Sequence, residues 1–176
     1  MNKVIAMFDD MCYNKCNKGN NMMTTNQFNT ALNALESVLN HVCKSIPYKS
    51  SLEAPSSFKA VCEHYRANGY FLIYSGSSDK TIFSSDEMNI KFRAYHDAGH
   101  YKHNLSFKFE DEKKLGIIQA NELRWIALTM GYDLSIANRI REIVLAEING
   151  QIEYYELNGK YLEDQKSYIL NYLKVG

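Results

Sequence analysis

Apolar residues recur three and four positions apart along most of the chain, which is the spacing that predicts amphipathic helices. The stripe that begins at Phe28 and ends at Val42 is the clearest example. Ser, Thr or Gly residues at the ends of several stripes are typical of helix caps. The predicted helices cover residues 25–45, 58–68, 85–103, 111–130, 136–155 and 161–175.

Two short segments lack helical spacing and are rich in aromatic and β-branched residues. They are YFLIYSG at 70–76 and TIF at 81–83, separated by a Ser-Ser-Asp turn. This pattern predicts an antiparallel β-hairpin directly ahead of the helix over 85–103. The fold class we expect is α+β: a mainly helical single domain over 1–176 with a small antiparallel hairpin, in which 1–24 forms a loose N-terminal segment.

The composition narrows the classes of partner. The 176 residues include 20 Lys+Arg and 20 Asp+Glu, so no overall basic field favours nucleic acid or an anionic membrane. No apolar run approaches the roughly 18 residues that a membrane span needs, and the N-terminus has no signal-peptide core. We therefore expect a cytoplasmic protein, and the sequence leaves its oligomeric state open.

Cysteine spacing does not indicate a disulfide framework. Cys12, Cys16, Cys43 and Cys62 are expected to be reduced thiols. Cys12 and Cys16 lie four residues apart and would bind zinc only with partners that the sequence does not identify. We therefore look for chemistry elsewhere in the chain.

The segment HDAGH, residues 96–100, predicts one side of a divalent-metal site. His96 and His100 are four residues apart on a predicted helix, so both imidazoles project from the same face and can share one ion. Asp97 lies between them and is the candidate catalytic group that handles a metal-bound water. Such an ion lowers the pKa of a bound water towards about 7.

A third ligand is expected from the next predicted helix. Glu110, Asp111 and Glu112 all lie at its start, and Glu112 shares a stripe with apolar residues that would pack against the core. We therefore favour Glu112 as the third ligand. His103 could support the site or interact with the end of its own helix in solvent.

The stretch NIKFRAYHDAGHYKHN resembles the active-site helix of zincin metallopeptidases, especially the compact gluzincins. QANELRWIALTM at 119–130 is similar to their following helix, which carries the third ligand. The resemblance implies zinc and hydrolase activity, with Asp97 in place of the catalytic Glu and Gln119 in place of the third-ligand Glu. It therefore implies either that Glu112 substitutes as the ligand or that peptidase activity is absent.

The same residues also resemble a second family. HDAGH fits the HDxGH form of HD-domain phosphohydrolases, which implies hydrolysis of nucleotides or phosphate esters. In that family an earlier His and a later Asp complete the site, for which His64 and Asp133 are the candidates. Asp97 would then be a ligand, and Mn, Mg, Fe or Co would be favoured over zinc.

A third resemblance is to uncharacterised phage proteins that combine a hairpin, an FRxxHDxxH helix, a nearby Glu and a late Asp-Gln, here Asp164-Gln165. This resemblance does not point to any particular activity. Three functions follow as hypotheses: a zincin-like metal-dependent hydrolase, an HD-type phosphohydrolase, and a non-catalytic phage structural or interaction protein.

Overall fold

The computed structural model describes residues 22–76 and 80–176, and shows a mainly helical α+β fold, as predicted. A 3₁₀ turn follows the first helix, and a π-helical segment, Ala146–Gly150, joins α5 directly to α6. Among the described residues, no helix combines the length and apolarity that crossing a bilayer requires. The elements are α1 (Thr25–Val42), β1 (Tyr48–Ser51), α2 (Phe58–Asn68), β2 (Phe71–Tyr74), α3 (Asp86–His103), α4 (Phe109–Thr129), α5 (Leu134–Leu145), α6 (Gln151–Asn158) and α7 (Gln165–Tyr172).

The helix boundaries follow local capping chemistry. At the start of α1 the Thr24 N–H donates to Gln27 Oε1 at 3.0 Å, and the Gln27 N–H donates to Thr24 Oγ1 at 3.3 Å. This reciprocal pair satisfies two donors that a helix start leaves unbonded. Helix α5 begins after Asp133 rather than after Ser135, and the closing helix is shorter than the predicted 161–175.

The predicted antiparallel hairpin is wrong. Strand β2 pairs with β1 in parallel, with Tyr48 opposite Phe71 and Ser51 opposite Tyr74, and α2 forms the crossover between them. Residues 81–83 are buried but form no strand. The sequence interpretation failed because Pro47 and Pro55 suggested a linker, which concealed the four residues of β1.

Helix α3 lies between two groups of buried side chains. Its Met88 and Phe92 join the larger core with α1, α4 and α5, while Ala94 joins a smaller cluster with Phe71 and Ile73 of β2. Both faces of the helix are therefore anchored before it reaches His96. Of the predicted N-terminal segment 1–24, residues 1–21 lie outside the described residues.

Candidate metal centre

Two imidazoles meet on α3. His96 and His100 are one helical turn apart, and their Nε2 atoms lie 3.0 Å from each other. The ring planes are nearly perpendicular, at 88°. Two ring nitrogens therefore point into one small volume, as the four-residue spacing predicted.

Glu112, in the first turn of α4, completes this group. Its Oε2 lies 3.0 Å from His96 Nε2, and its Oε1 lies 3.3 Å from His100 Nε2. Tetrahedral zinc with bonds of about 2.0–2.1 Å holds its ligand atoms about 3.3 Å apart. The three side chains, which we call the metal triad, could therefore hold a metal ion with little rearrangement.

The other two acids considered for this role lie apart from the metal triad. Asp111 accepts a hydrogen bond from the Ser106 N–H at 2.9 Å, and Glu110 is exposed. Gln119, at the position where the zincin resemblance places a ligand, contacts His96 by its other ring nitrogen. The position at which the zincin resemblance places the third ligand therefore lies against His96 Nδ1, while Glu112 is the residue that meets the two Nε2 atoms.

Backbone and amide oxygens fix the tautomers of both histidines. His100 Nδ1 lies 2.9 Å from the Leu105 carbonyl oxygen, and His96 Nδ1 lies 2.8 Å from Gln119 Oε1. Because these oxygens can only accept, each Nδ1 must carry the hydrogen. In the neutral rings both Nε2 atoms therefore carry a free lone pair. This tautomer is the one that binds a metal through Nε2.

The Leu105 carbonyl reaches His100 because α3 ends in a sharp turn. Asn104 adopts a left-handed conformation with φ 52°, and the Leu105 N–H bonds back to the His100 carbonyl at 3.1 Å. Asn tolerates this conformation better than most residues. The same turn directs the chain into α4 and so towards Glu112.

Gly99 makes room for Gln119. A Cβ atom at this position would overlap Gln119 Nε2. That nitrogen donates to the Tyr95 carbonyl at 2.9 Å, which sets the orientation of the amide and presents its oxygen to His96. The small residue in HDAGH therefore serves the hydrogen bond that holds the His96 ring.

The metal triad is largely withdrawn from water. The side chain of His100 is fully buried, with Phe107 at 4.7 Å between ring centroids, while those of His96 and Glu112 are 19% and 17% exposed. Burial disfavours the charged forms of His96 and Glu112, but the hydrogen bond and the electrostatic attraction between them outweigh this effect. They raise the pKa of His96 and, with His100, lower the pKa of Glu112.

Asp97 is not a member of the metal triad but lines the same cavity. Burial raises its pKa, against the lowering effect of His96 and His100. The cavity is about 940 Å³ and is bordered by His96, Asp97 and Glu112. Three further polar residues also line it: Gln151, Tyr155 and Gln165.

The remaining candidates lie elsewhere. His64 Nδ1 is 3.2 Å from the Tyr70 carbonyl oxygen, and Asp133 caps α5 by accepting from the Ile136 N–H at 2.9 Å. His103 Nε2 lies 3.7 Å from Glu122 Oε1, and His103 contributes no atom to the metal triad.

The two cysteines that the structure describes belong to no comparable site. Cys43 and Cys62 are buried free thiols, as predicted. Cys12 and Cys16 lie outside the described residues. Burial raises the pKa of Cys43 to about 11, which makes it a weak nucleophile.

Sequence reasoning missed two acids of the cavity wall, the exposed Glu156 and the buried Glu147. Glu147 is 2% exposed and lies within an otherwise apolar run, IVLAEI at 143–148. A charged residue at a core position of a helix is rarely buried without a reason, so that run was the available signal.

No protein-family model, curated protein or solved structure matches the chain. The resemblances to zincins, HD-domain enzymes and phage proteins therefore stay predictions. The geometry of the metal triad and its cavity is the basis on which function can be inferred.

Proposed function

We propose that this protein is a metal-dependent hydrolase in which His96, His100 and Glu112 bind one divalent ion. The observation that carries the proposal is the convergence of two imidazole lone pairs and a carboxylate within 3.0–3.3 Å of one another. Groups of this kind repel each other unless a cation, either a metal ion or a proton, lies among them. The hydrogen bonds on both Nδ1 atoms favour the metal-binding tautomer.

Zinc is the favoured ion. Two imidazoles and one carboxylate form a donor set found at catalytic zinc sites, where a fourth position stays open. His96 and Glu112 border the cavity, so that position is accessible to a substrate. When bound, such an ion would supply an acidified water with a pKa of about 7.

Asp97 is the proposed catalytic group. It follows His96 directly, faces the same cavity and contributes no atom to the metal triad. A carboxylate in that position can accept a proton from the attacking water and return it to the leaving group. The arrangement supports hydrolysis of an ester or amide bond in a substrate held in the cavity.

The HD-type alternative requires a different ligand set. It would use Asp97 as a ligand and add His64 and Asp133, yet His64 bonds to the Tyr70 carbonyl and Asp133 caps a helix. No contact of the described residues favours that set. A third possibility is a non-catalytic protein in which the triad shares a proton instead of a metal ion. The following test distinguishes that possibility from the metal site.

The test is the metal content of protein purified without a His tag, measured by elemental analysis. We expect close to one equivalent of a transition metal in the wild type, and its loss in His96→Ala and Glu112→Gln. His64→Ala is the matched control and should keep the metal. Less than about 0.2 equivalents, with no change in melting temperature on adding metal, would overturn the proposal because a bound ion must stabilise the native state.

A further inference from the structure

Glu147 is a buried acid that the proposed mechanism does not use. It lies in the π-helical segment between α5 and α6, and its Oε1 accepts a hydrogen bond from Gln151 Nε2 at 2.7 Å. Its Oε2 is buried and has no hydrogen-bond partner among the described residues. Such an oxygen costs stability, so its retention points to a partner that arrives from outside the fold.

The unpartnered carboxylate shares a cavity with the metal triad. Glu147 lines the same space of about 940 Å³ as His96, Asp97 and Glu112. Gly116 of α4 allows the π-helical segment to approach, because a Cβ there would come within 2.8 Å of Asn149 Oδ1. π-Helical turns frequently occur at functional sites.

The charge of the cavity limits what it can bind. Asp97, Glu112, Glu147 and Glu156 all line it, whereas Arg93 is the one Lys or Arg side chain among its described lining residues. The Arg93 guanidinium also donates to two backbone carbonyls, at 2.9 and 2.7 Å. An anionic substrate would therefore meet an excess of acidic groups, even with a divalent ion bound.

We propose that Glu147 Oε2 accepts a hydrogen bond from an amine or amide N–H of the substrate, which is a neutral or cationic nitrogen compound rather than a phosphate ester. The inference rests on the proposed hydrolase function of the metal triad. It makes Glu147 a specificity-determining residue, because an N–H donor of the substrate satisfies a buried carboxylate oxygen that has no hydrogen-bond partner among the described residues.

The rest of the cavity suits an organic amine with an apolar body. Phe92, Phe109 and Tyr155 line its walls. Burial raises the pKa of Glu147 to about 7, while Arg93 and Gln151 oppose that rise. An arriving ammonium group would favour the ionised carboxylate further.

The test compares two small aromatic probes by calorimetric titration at pH 8: phenylalaninamide, which offers amine and amide N–H donors and carries no negative charge, and phenyl phosphate, which is an anion. Both are titrated into zinc-loaded and metal-free protein. We expect phenylalaninamide to bind the zinc-loaded protein at least about tenfold more tightly than phenyl phosphate. We expect Glu147→Gln to weaken the binding of phenylalaninamide at least about tenfold. Gln151 Nε2 donates to Glu147 Oε1, so the amide of Glu147→Gln keeps its oxygen towards Gln151. Its NH₂ group, which cannot accept a hydrogen bond, then takes the place of Oε2.

Two further variants separate binding from folding. Glu110→Gln removes an exposed acid that does not line the cavity and should change the affinity by less than about twofold. Glu147→Leu removes the polar group altogether and should also lose phenylalaninamide. Both Glu147 variants should melt at or above the wild-type temperature, whereas a structural carboxylate would lower it.

Three results would overturn the inference: preference for phenyl phosphate, unchanged affinity in Glu147→Gln, or no measurable binding of phenylalaninamide at millimolar concentration. Zinc content measured in the same samples distinguishes this failure from failure of the hydrolase proposal. If the wild type holds no zinc, the hydrolase proposal fails, and titration of the metal-free protein still decides whether Glu147 binds the amine.

Discussion

The positions of two hydrogen atoms decide what can lie between His96 and His100. With Nδ1 of each ring donating to an oxygen, a neutral pair presents lone pairs that face each other at 3.0 Å. A proton can relieve that repulsion only by charging one ring next to Glu112. A divalent ion relieves it with all three groups in their ordinary metal-binding forms.

Replacing Asp97 shows whether this residue accepts a proton from water or binds the metal. Asp97→Asn keeps the size of the side chain but cannot take a proton from water. We expect zinc affinity within about twofold of the wild type and a fall of about 100-fold or more in hydrolysis of p-nitrophenyl acetate at pH 7.

The control is Glu110→Gln, which removes an exposed acid close to the site and should change neither quantity. Loss of zinc from Asp97→Asn would instead assign Asp97 as a ligand. An unchanged rate would remove it from the mechanism.

Glu147 should make the stability of the fold depend on pH. Its pKa rises from 4.5 to about 7 on burial, so the folded state binds the proton more tightly than the unfolded state. Stability is therefore lost as pH rises between these values. Glu147→Gln removes that loss and should gain about 3 kcal/mol relative to the wild type between pH 4.5 and pH 8.

Urea unfolding at the two pH values measures this difference. Glu156→Gln, an exposed acid of the same cavity, should show no such change with pH. A Glu147→Gln effect of equal size at both pH values would show that the carboxyl is not held in a desolvated position.

Among the helices, the contact between α3 and α4 orients the His96 side chain of the metal triad. Gly99 of α3 leaves the space into which Gln119 of α4 fits. Gly99→Ala would displace Gln119 and release the His96 ring. We expect zinc affinity to fall about 10- to 100-fold, measured by competition with a chromophoric chelator.

A double variant checks that cause. In Gly99→Ala combined with Gln119→Ala, the added methyl group meets no amide, so the pair should bind zinc no more weakly than Gln119→Ala alone. Additive losses would mean that Gly99→Ala acts by another route.

Local patterns predicted the helices well and the sheet poorly. The stripe of α4 placed Glu112 with Leu115 and Gln119, and the structure brings Glu112 to the histidines. The pairing of β1 with β2 is non-local and depends on a crossover through α2, which spacing along the chain does not reveal. A run of four residues also carries too little periodicity to identify a strand.

Hydrogen bonds behind the ligands were equally beyond the sequence. The Leu105 carbonyl has no side-chain signature, and it reaches His100 only because Asn104 turns the chain. The lone acid of the run at 143–148 did offer a signal for Glu147. Its shared cavity with the metal triad became visible only from the packing of the π-helical segment.

For the whole molecule, metal binding should add to the free energy of unfolding. The metal triad brings together residues of α3 and α4, so its geometry exists only in the folded protein. An ion bound there would stabilise the native state and not the unfolded state. Free zinc at about 100 times its dissociation constant should add roughly 2.7 kcal/mol, seen as a higher melting temperature that a chelator reverses. His64→Ala should keep this shift, whereas Glu112→Gln should lose it.

We propose that one ion lies among His96, His100 and Glu112. Anomalous diffraction from zinc-soaked crystals, recorded above and below the zinc absorption edge, would locate that ion. We expect one strong peak at about 2.0–2.1 Å from both Nε2 atoms and from a Glu112 oxygen. No peak there, with the two rings still in contact, would rule out the metal site and assign the triad to a shared proton.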